Sequence, residues 1–228
     1  MSFKDKVKTL EGTSVSGFFG LIALTFIFSW IPIISWPFDW IQTFFHELSH
    51  GLAALMTGGR VLTIELNLNG SGLCTSSGGI RLFVAFAGYA GAILWGALIY
   101  MMADHPSEKT ADRLAILMIT LIGITLLFWA RDFITILILC VMIIPFAFVL
   151  KIKDAWGERL LMQITGLYVL LDAIKSPSYL FGILQRNDAQ TLSQITFIPA
   201  FVWILIWLGT GIATMFFLYK WHKRHHKD

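Results

Sequence analysis

Charged residues in this chain are few, and they cluster between long apolar runs. Only 14% of the residues are Asp, Glu, Lys or Arg, while 57% are hydrophobic. A soluble domain carries about 25% charged residues, because its surface must face water. A membrane-spanning helix instead needs about 20 consecutive apolar residues, and several runs here have that length. The pattern therefore predicts an integral membrane protein that contacts the lipid bilayer.

We predict an all-α polytopic membrane protein with about six to seven transmembrane helices, in a single domain over residues 1–228. The candidate helices are each close to the length that crosses a bilayer. They are Gly17–Ser35, Pro37–Thr57, Ile80–Met102, Asp112–Ala130, Asp132–Leu150, Glu158–Lys175 and Phe197–Tyr219.

The sequence contains signals for where the second helix begins and where it ends. Pro37 suits the first helical position, and Asp39 would then lie in the first turn, where the helix dipole favours a negative charge. Gly58 and Gly59 favour a stop, because glycine adopts the left-handed conformation that ends helices. The sequence therefore predicts a helix from Pro37 to Thr57.

The segment after this helix predicts a short β-hairpin. Apolar and polar residues partly alternate over Val61–Asn69, and a glycine-rich turn follows at Gly70–Gly72. Strand edges cannot face lipid, so we expect this hairpin at the membrane interface or lining a cavity. In the next helix Gly88, Ala92 and Gly96 recur every four residues, which favours close helix packing.

The sequence gives little support for nucleic-acid binding, for disulfides or for a cysteine-based metal site. The net charge of +3 is modest, so no nucleic-acid partner is expected. The two cysteines, Cys74 and Cys140, are far apart, which argues against a disulfide framework or a cysteine-based zinc site.

The motif that indicates a metal site is His46-Glu47-Leu48-Ser49-His50, which lies inside the second predicted helix. Residues four apart lie about 40° apart on one helix face, so both imidazoles can reach one metal ion. Glu47 lies beside that face and is placed to accept a proton from a metal-bound water. The alternative is that these side chains only bond to other helices. Ionisable groups inside a membrane are costly, and this favours the functional interpretation.

The sequence resembles the site-2 protease family of intramembrane zinc metalloproteases, particularly its compact bacterial protease-like branch. The resemblance is carried by residues 45–51 leading into Gly58-Gly59-Arg60. Further similar stretches are Gly70–Gly72, Ala87–Gly91, Asn187–Ala189 and Ile198–Trp203.

The resemblance implies Zn2+ as cofactor and an aspartate on a later helix as third ligand. The matching position is Asp172, although Ala173 stands where the family pattern has glycine. Asp172 has another interpretation, as an ion-pair partner of Lys175. Asp188 is the reserve candidate, although a loop aspartate after Asn187 is more often a turn or cap residue.

The implied function is an intramembrane zinc metalloendopeptidase that cleaves a membrane protein substrate in a prokaryotic plasma membrane, with His46, His50 and Asp172 as metal ligands and Glu47 as general base. Asn67 and Asn69 are candidates for binding an unwound substrate strand. The main alternative is a non-proteolytic membrane protein that keeps the fold and binds or chaperones a membrane partner. A metal-ion transporter is a third possibility, but it would need more acidic or histidine side chains on facing helices.

Overall fold

The computed structural model describes residues 13–105, 109–152, 154–177 and 187–225. Within these ranges the chain forms eight helices and a two-stranded antiparallel hairpin. The helices are α1 (Val15–Phe28), α2 (Pro32–Met56), α3 (Arg81–Asp104), α4 (Thr110–Phe128), α5 (Phe133–Val149), α6 (Ala155–Lys175), α7 (Asp188–Thr196) and α8 (Ala200–His225). The strands are β1 (Arg60–Leu66) and β2 (Gly72–Ser77).

The predicted all-α membrane fold with a hairpin after the motif helix is confirmed. In the described part of the chain, α3, α4 and α8 are long and apolar enough to cross a membrane, and α1 and α5 are shorter apolar helices. Helices α2 and α6 carry most of the buried polar side chains of the described residues. Their buried polar side chains are Ser35, Gln42, Thr43, Glu47, Ser49 and His50 on α2, and Glu158, Arg159, Gln163 and Thr165 on α6.

Helix α3 is the centre of the fold, packed between α2 and α6. Its contact with α6 is made by glycine. A Cβ atom added to Gly96 would lie 2.5 Å from the backbone nitrogen of Leu170, and one added to Gly166 would lie 2.5 Å from that of Tyr100. The two backbones therefore touch, as the small-residue spacing on α3 predicts.

The predicted start of the motif helix is wrong. Helix α2 begins at Pro32, and Pro37 lies inside it. Both prolines fit a first-turn position, and the structure uses the earlier one, which adds more than a turn to the helix. Asp39 is therefore well inside α2, where it accepts hydrogen bonds from Ser35 Oγ, at 3.1 Å, and from Tyr168 Oη on α6. The first helix is correspondingly shorter than predicted and ends at Phe28.

A buried polar network joins several chain segments at one end of α3. Asp104 is fully buried, and its carboxylate accepts hydrogen bonds from Arg159 Nη2 at 2.7 Å, Gln163 Nε2 at 2.8 Å and the Thr13 backbone N–H at 3.0 Å. His222 of α8, also fully buried, is hydrogen-bonded to Tyr100 Oη at 2.7 Å. A buried charge with this many partners is satisfied only when all the segments are docked.

We expect Gly96→Ala to lower the thermal stability of the purified protein. The added methyl group meets backbone atoms of α6, which cannot move aside without separating the helices. Overpacking of this kind costs about 1–3 kcal/mol, or a melting temperature about 2–12 °C lower for a chain of this size. The measurement is thermal unfolding in detergent. Gly123→Ala on α4 is the matched control, since its Cβ would have nothing within 4 Å. Equal melting temperatures for both variants would contradict the packing account.

Candidate metal centre

Three side chains from two distant parts of the chain meet in one place. His46 and His50 project from the same face of α2, with their Nε2 atoms 3.0 Å apart. Asp188, the first residue of α7, places Oδ2 3.1 Å from His46 Nε2 and 3.3 Å from His50 Nε2. Asn187 caps this short helix by accepting a hydrogen bond from Gln190 N at 3.0 Å, and this fixes where α7 begins.

This donor set fits zinc. Three ligands about 2.0–2.1 Å from a tetrahedral ion lie roughly 3.3 Å from one another, close to the three separations found here. Two imidazoles and one carboxylate leave the fourth position of the ion open, as in catalytic zinc sites. Among the described residues, His46, His50 and Asp188 form the group of histidine and acidic side chains close enough together to hold one metal ion.

His50 is oriented by a backbone contact from α3. Its Nδ1 lies 2.6 Å from the carbonyl oxygen of Val84. A carbonyl can only accept, so Nδ1 carries the proton and Nε2 keeps its lone pair for a metal. Such outer contacts fix the tautomer of a metal-binding histidine.

Glycines on α3 create the space for the two imidazoles. A Cβ atom at Gly88 would lie 2.5 Å from His50 Nε2 and 2.6 Å from His46 Cε1. At Gly91 it would lie 2.2 Å from Oγ of Ser49, which donates a hydrogen bond to the Phe45 carbonyl at 2.6 Å. The small-residue face predicted for helix packing therefore also accommodates the candidate metal site.

Glu47 lies beside the histidines, buried between α2 and the hairpin. A Cβ atom at Gly72 of β2 would lie 2.7 Å from Glu47 Cγ, so the strand passes directly against this side chain. Glu47, His50 and Asp188 face a cavity of about 910 Å³. The other lining residues come mainly from β2, the first turns of α3 and α7: Ser71, Gly72, Leu73, Cys74, Thr75, Ser76, Gly78, Arg81, Val84, Ala85, Tyr89, Asn187 and Thr191.

Cys74 also lines this cavity, and its thiol is of a kind that can bind metal ions. Burial raises the pKa of its thiol to about 12, and the nearby Glu47 carboxylate acts in the same direction. Cys74 is not part of the group of described side chains that lie close enough together to hold one metal ion.

The structure does not bring Asp172 to the two histidines. The Asp172 carboxylate accepts a hydrogen bond from Ser176 Oγ at 2.7 Å and lies 3.6 Å from Lys175 Nζ. This local pairing on α6 is the alternative interpretation that the sequence left open. The reserve candidate, Asp188, lies 3.1–3.3 Å from the two histidines instead, because α7 packs against α3.

Asn67 and Asn69 lie in the hairpin turn and are not among the residues that line the cavity. The Asn67 N–H donates to the Ser71 carbonyl at 2.8 Å, and Asn69 Oδ1 accepts from Ser71 Oγ at 2.8 Å. Both asparagine side chains are hydrogen-bonded to Ser71 within the turn. The neighbouring residues of β2 face the cavity in their place.

The sequence model of the Peptidase M50B-like family matches residues 19–218. The chain belongs to this family. The match covers both histidines, Glu47 and Asp188, and it confirms the resemblance to site-2 proteases. No curated protein and no solved structure matches the chain. Membership identifies a membrane protein of a metalloprotease family, and the family's hydrolase chemistry agrees with the His-His-Asp group found beside Glu47.

We expect Asp188→Asn to lose bound zinc and Asp172→Asn to keep it. An amide oxygen is a much weaker ligand than a carboxylate, and of these two aspartates it is Asp188 that lies within reach of both histidines. Elemental analysis of protein purified in detergent would give near one zinc per wild-type chain. Zinc kept by Asp188→Asn but lost by Asp172→Asn would return the third ligand to α6.

We also expect Gly88→Ala to weaken zinc binding by at least about tenfold, because its methyl group displaces both imidazoles. The measurement is competition with a chelator of known affinity. Gly209→Ala on α8 is the matched control, since its Cβ would have no neighbour within 4 Å. Unchanged zinc affinity in Gly88→Ala would show that the histidines do not hold the metal in this arrangement.

Proposed function

We propose that this protein is an intramembrane zinc endopeptidase that cleaves a membrane-embedded protein substrate. One observation carries the proposal: His46, His50 and Asp188 lie close enough together to hold one zinc ion, and two of them, His50 and Asp188, line the same cavity as the buried carboxylate of Glu47. This combination is typical of metalloproteases, which need three protein ligands, an open metal position and a general base. Membership of the Peptidase M50B-like family supports the same reaction class.

His46, His50 and Asp188 would hold the zinc ion in the proposed enzyme. When bound, zinc lowers the pKa of a coordinated water and polarises the scissile carbonyl. The Val84 carbonyl keeps His50 in the tautomer that binding requires. Because these ligands come from two elements, the site is complete only when α7 is docked against α2 and α3.

Glu47 would act as general base and then as general acid. Its carboxylate takes a proton from the attacking water as the water oxygen adds to the carbonyl carbon. The same proton then passes to the leaving nitrogen as the C–N bond breaks, so the peptide and the water become a carboxylic acid and an amine. The close approach of Gly72 restricts the Glu47 side chain to the cavity side.

Strand β2 is the best candidate for holding the substrate. Peptide bonds in a helical substrate are hidden by their hydrogen bonds, so the substrate must unwind before attack. An unwound segment needs new backbone partners, which a strand edge supplies. In the described part of the chain β2 pairs with β1 alone and lines the cavity. By contrast, β1 is also tied to other elements, through Ile64 N to the Trp129 carbonyl and Leu66 N to Thr135 Oγ1.

The decisive experiment is Glu47→Gln. The amide cannot accept the proton, so we expect proteolysis to fall by at least about 10³-fold while zinc content stays near wild type. Cleavage would be followed on single-span membrane proteins reconstituted with the purified enzyme in vesicles. Full proteolysis by Glu47→Gln would defeat the proposal. Bound zinc without any cleavage by wild type would favour a non-proteolytic family member.

A further inference from the structure

Tyr89 is next to the candidate metal centre, yet the mechanism above gives it no role. It follows Gly88 on α3 and lines the cavity together with Glu47 and Asp188. Its ring centroid lies 4.5 Å from that of His46 in an edge-to-face contact, and 4.8 Å from that of Trp207 on α8. Two aromatic neighbours therefore fix the position of the ring.

The hydroxyl group of Tyr89 makes no hydrogen bond within the described ranges 13–105, 109–152, 154–177 and 187–225. Phenols inside a protein usually find a partner, and two other tyrosines here do: Tyr100 Oη is bonded to His222, and Tyr168 Oη to Asp39. The carboxylates of Asp188, Asp172 and Glu47 lie within electrostatic range of the Tyr89 hydroxyl. A donor is thus held beside the candidate metal site, and no described residue accepts its hydrogen bond.

Peptide hydrolysis in this cavity creates a demand for such a donor. When water adds to the scissile carbonyl, negative charge develops on the carbonyl oxygen, and a preorganised hydrogen bond to that oxygen lowers the barrier. The carboxylates in the cavity only accept. Arg81 is the cation among the described lining residues, but it lies eight residues before Tyr89 on the same helix, about 12 Å along the axis.

We propose that Tyr89 Oη donates a hydrogen bond to the oxyanion of the tetrahedral intermediate and is a further catalytic residue. This inference rests on the proposed endopeptidase function. The proton stays on the phenol throughout, so the step changes no bond other than those already described for Glu47. The ring contacts with His46 and Trp207 supply the preorganisation, because the hydroxyl need not be repositioned when charge develops.

Tyr89→Phe separates this role from a packing role. Phenylalanine keeps both ring contacts and removes only the hydroxyl. We expect kcat to fall about 10²–10³-fold, as for removal of one oxyanion donor, while KM stays within about twofold and zinc content is unchanged. Tyr219→Phe is the matched control, since Tyr219 of α8 is not among the residues that line the catalytic cavity.

A second readout does not depend on turnover. A phosphinic peptide, with a tetrahedral anionic phosphorus group in place of the scissile amide, mimics the intermediate. We expect it to bind Tyr89→Phe about 10–100-fold more weakly than wild type by calorimetry, and Tyr219→Phe as tightly as wild type. A wild type that cleaves its substrate together with an equally active Tyr89→Phe, or equal phosphinate affinities, would overturn this inference alone. Loss of zinc in Tyr89→Phe would assign Tyr89 to the metal site's structure instead. A wild type without any cleavage would overturn the proposed function and this inference with it.

Discussion

The close approach of α2 and α3 is the constraint on which the rest of the structure depends. Two imidazoles and two carboxylates are placed inside an apolar bundle, where unpaired polar groups are expensive. They can be accommodated because Gly88 leaves room for both histidine rings against α3. The Val84 carbonyl of the same helix then orients His50. The packing of α2 against α3 therefore sets the positions of the two imidazoles, and Asp188 from α7 completes a group of ligands with the spacing that zinc requires.

Helix α3 links this site to the rest of the fold. Towards its beginning it supplies Val84, Gly88 and Tyr89 to the cavity. In its second half Gly96 brings its backbone against α6, and at its end Asp104 is held by Arg159 and Gln163 of the same helix α6. A site whose ligands must stay within a few tenths of an ångström benefits from such a frame, because α3 is fixed at several points along its length.

The hairpin serves a different need. For the proposed proteolysis, water and an unwound substrate must both reach a site surrounded by apolar helices. Non-helical backbone within a membrane protein is tolerated where it lines a cavity. Strand β2 meets both conditions, since it borders the cavity and passes against Glu47. The asparagines of the turn hold this strand in place through Ser71, which explains why polar side chains cluster there without facing the cavity themselves.

The sequence by itself determined the features that depend on local periodicity. Apolar run length predicts the membrane helices, the spacing of His46 and His50 places both on one face, and alternation with a glycine-rich turn predicts the hairpin. Two kinds of feature needed the tertiary structure. The start of α2 was predicted at Pro37 but lies at Pro32, because both prolines suit a first turn and only the structure shows which one is used. The family resemblance favoured Asp172 as the partner of the histidines, with Asp188 in reserve. Neither aspartate is near the histidines in the sequence, so only the packing of α7 against α3 shows which carboxylate reaches them. The position of Tyr89 beside His46 belongs to the same class, since a contact between helices depends on how their faces meet and not on the spacing within either one.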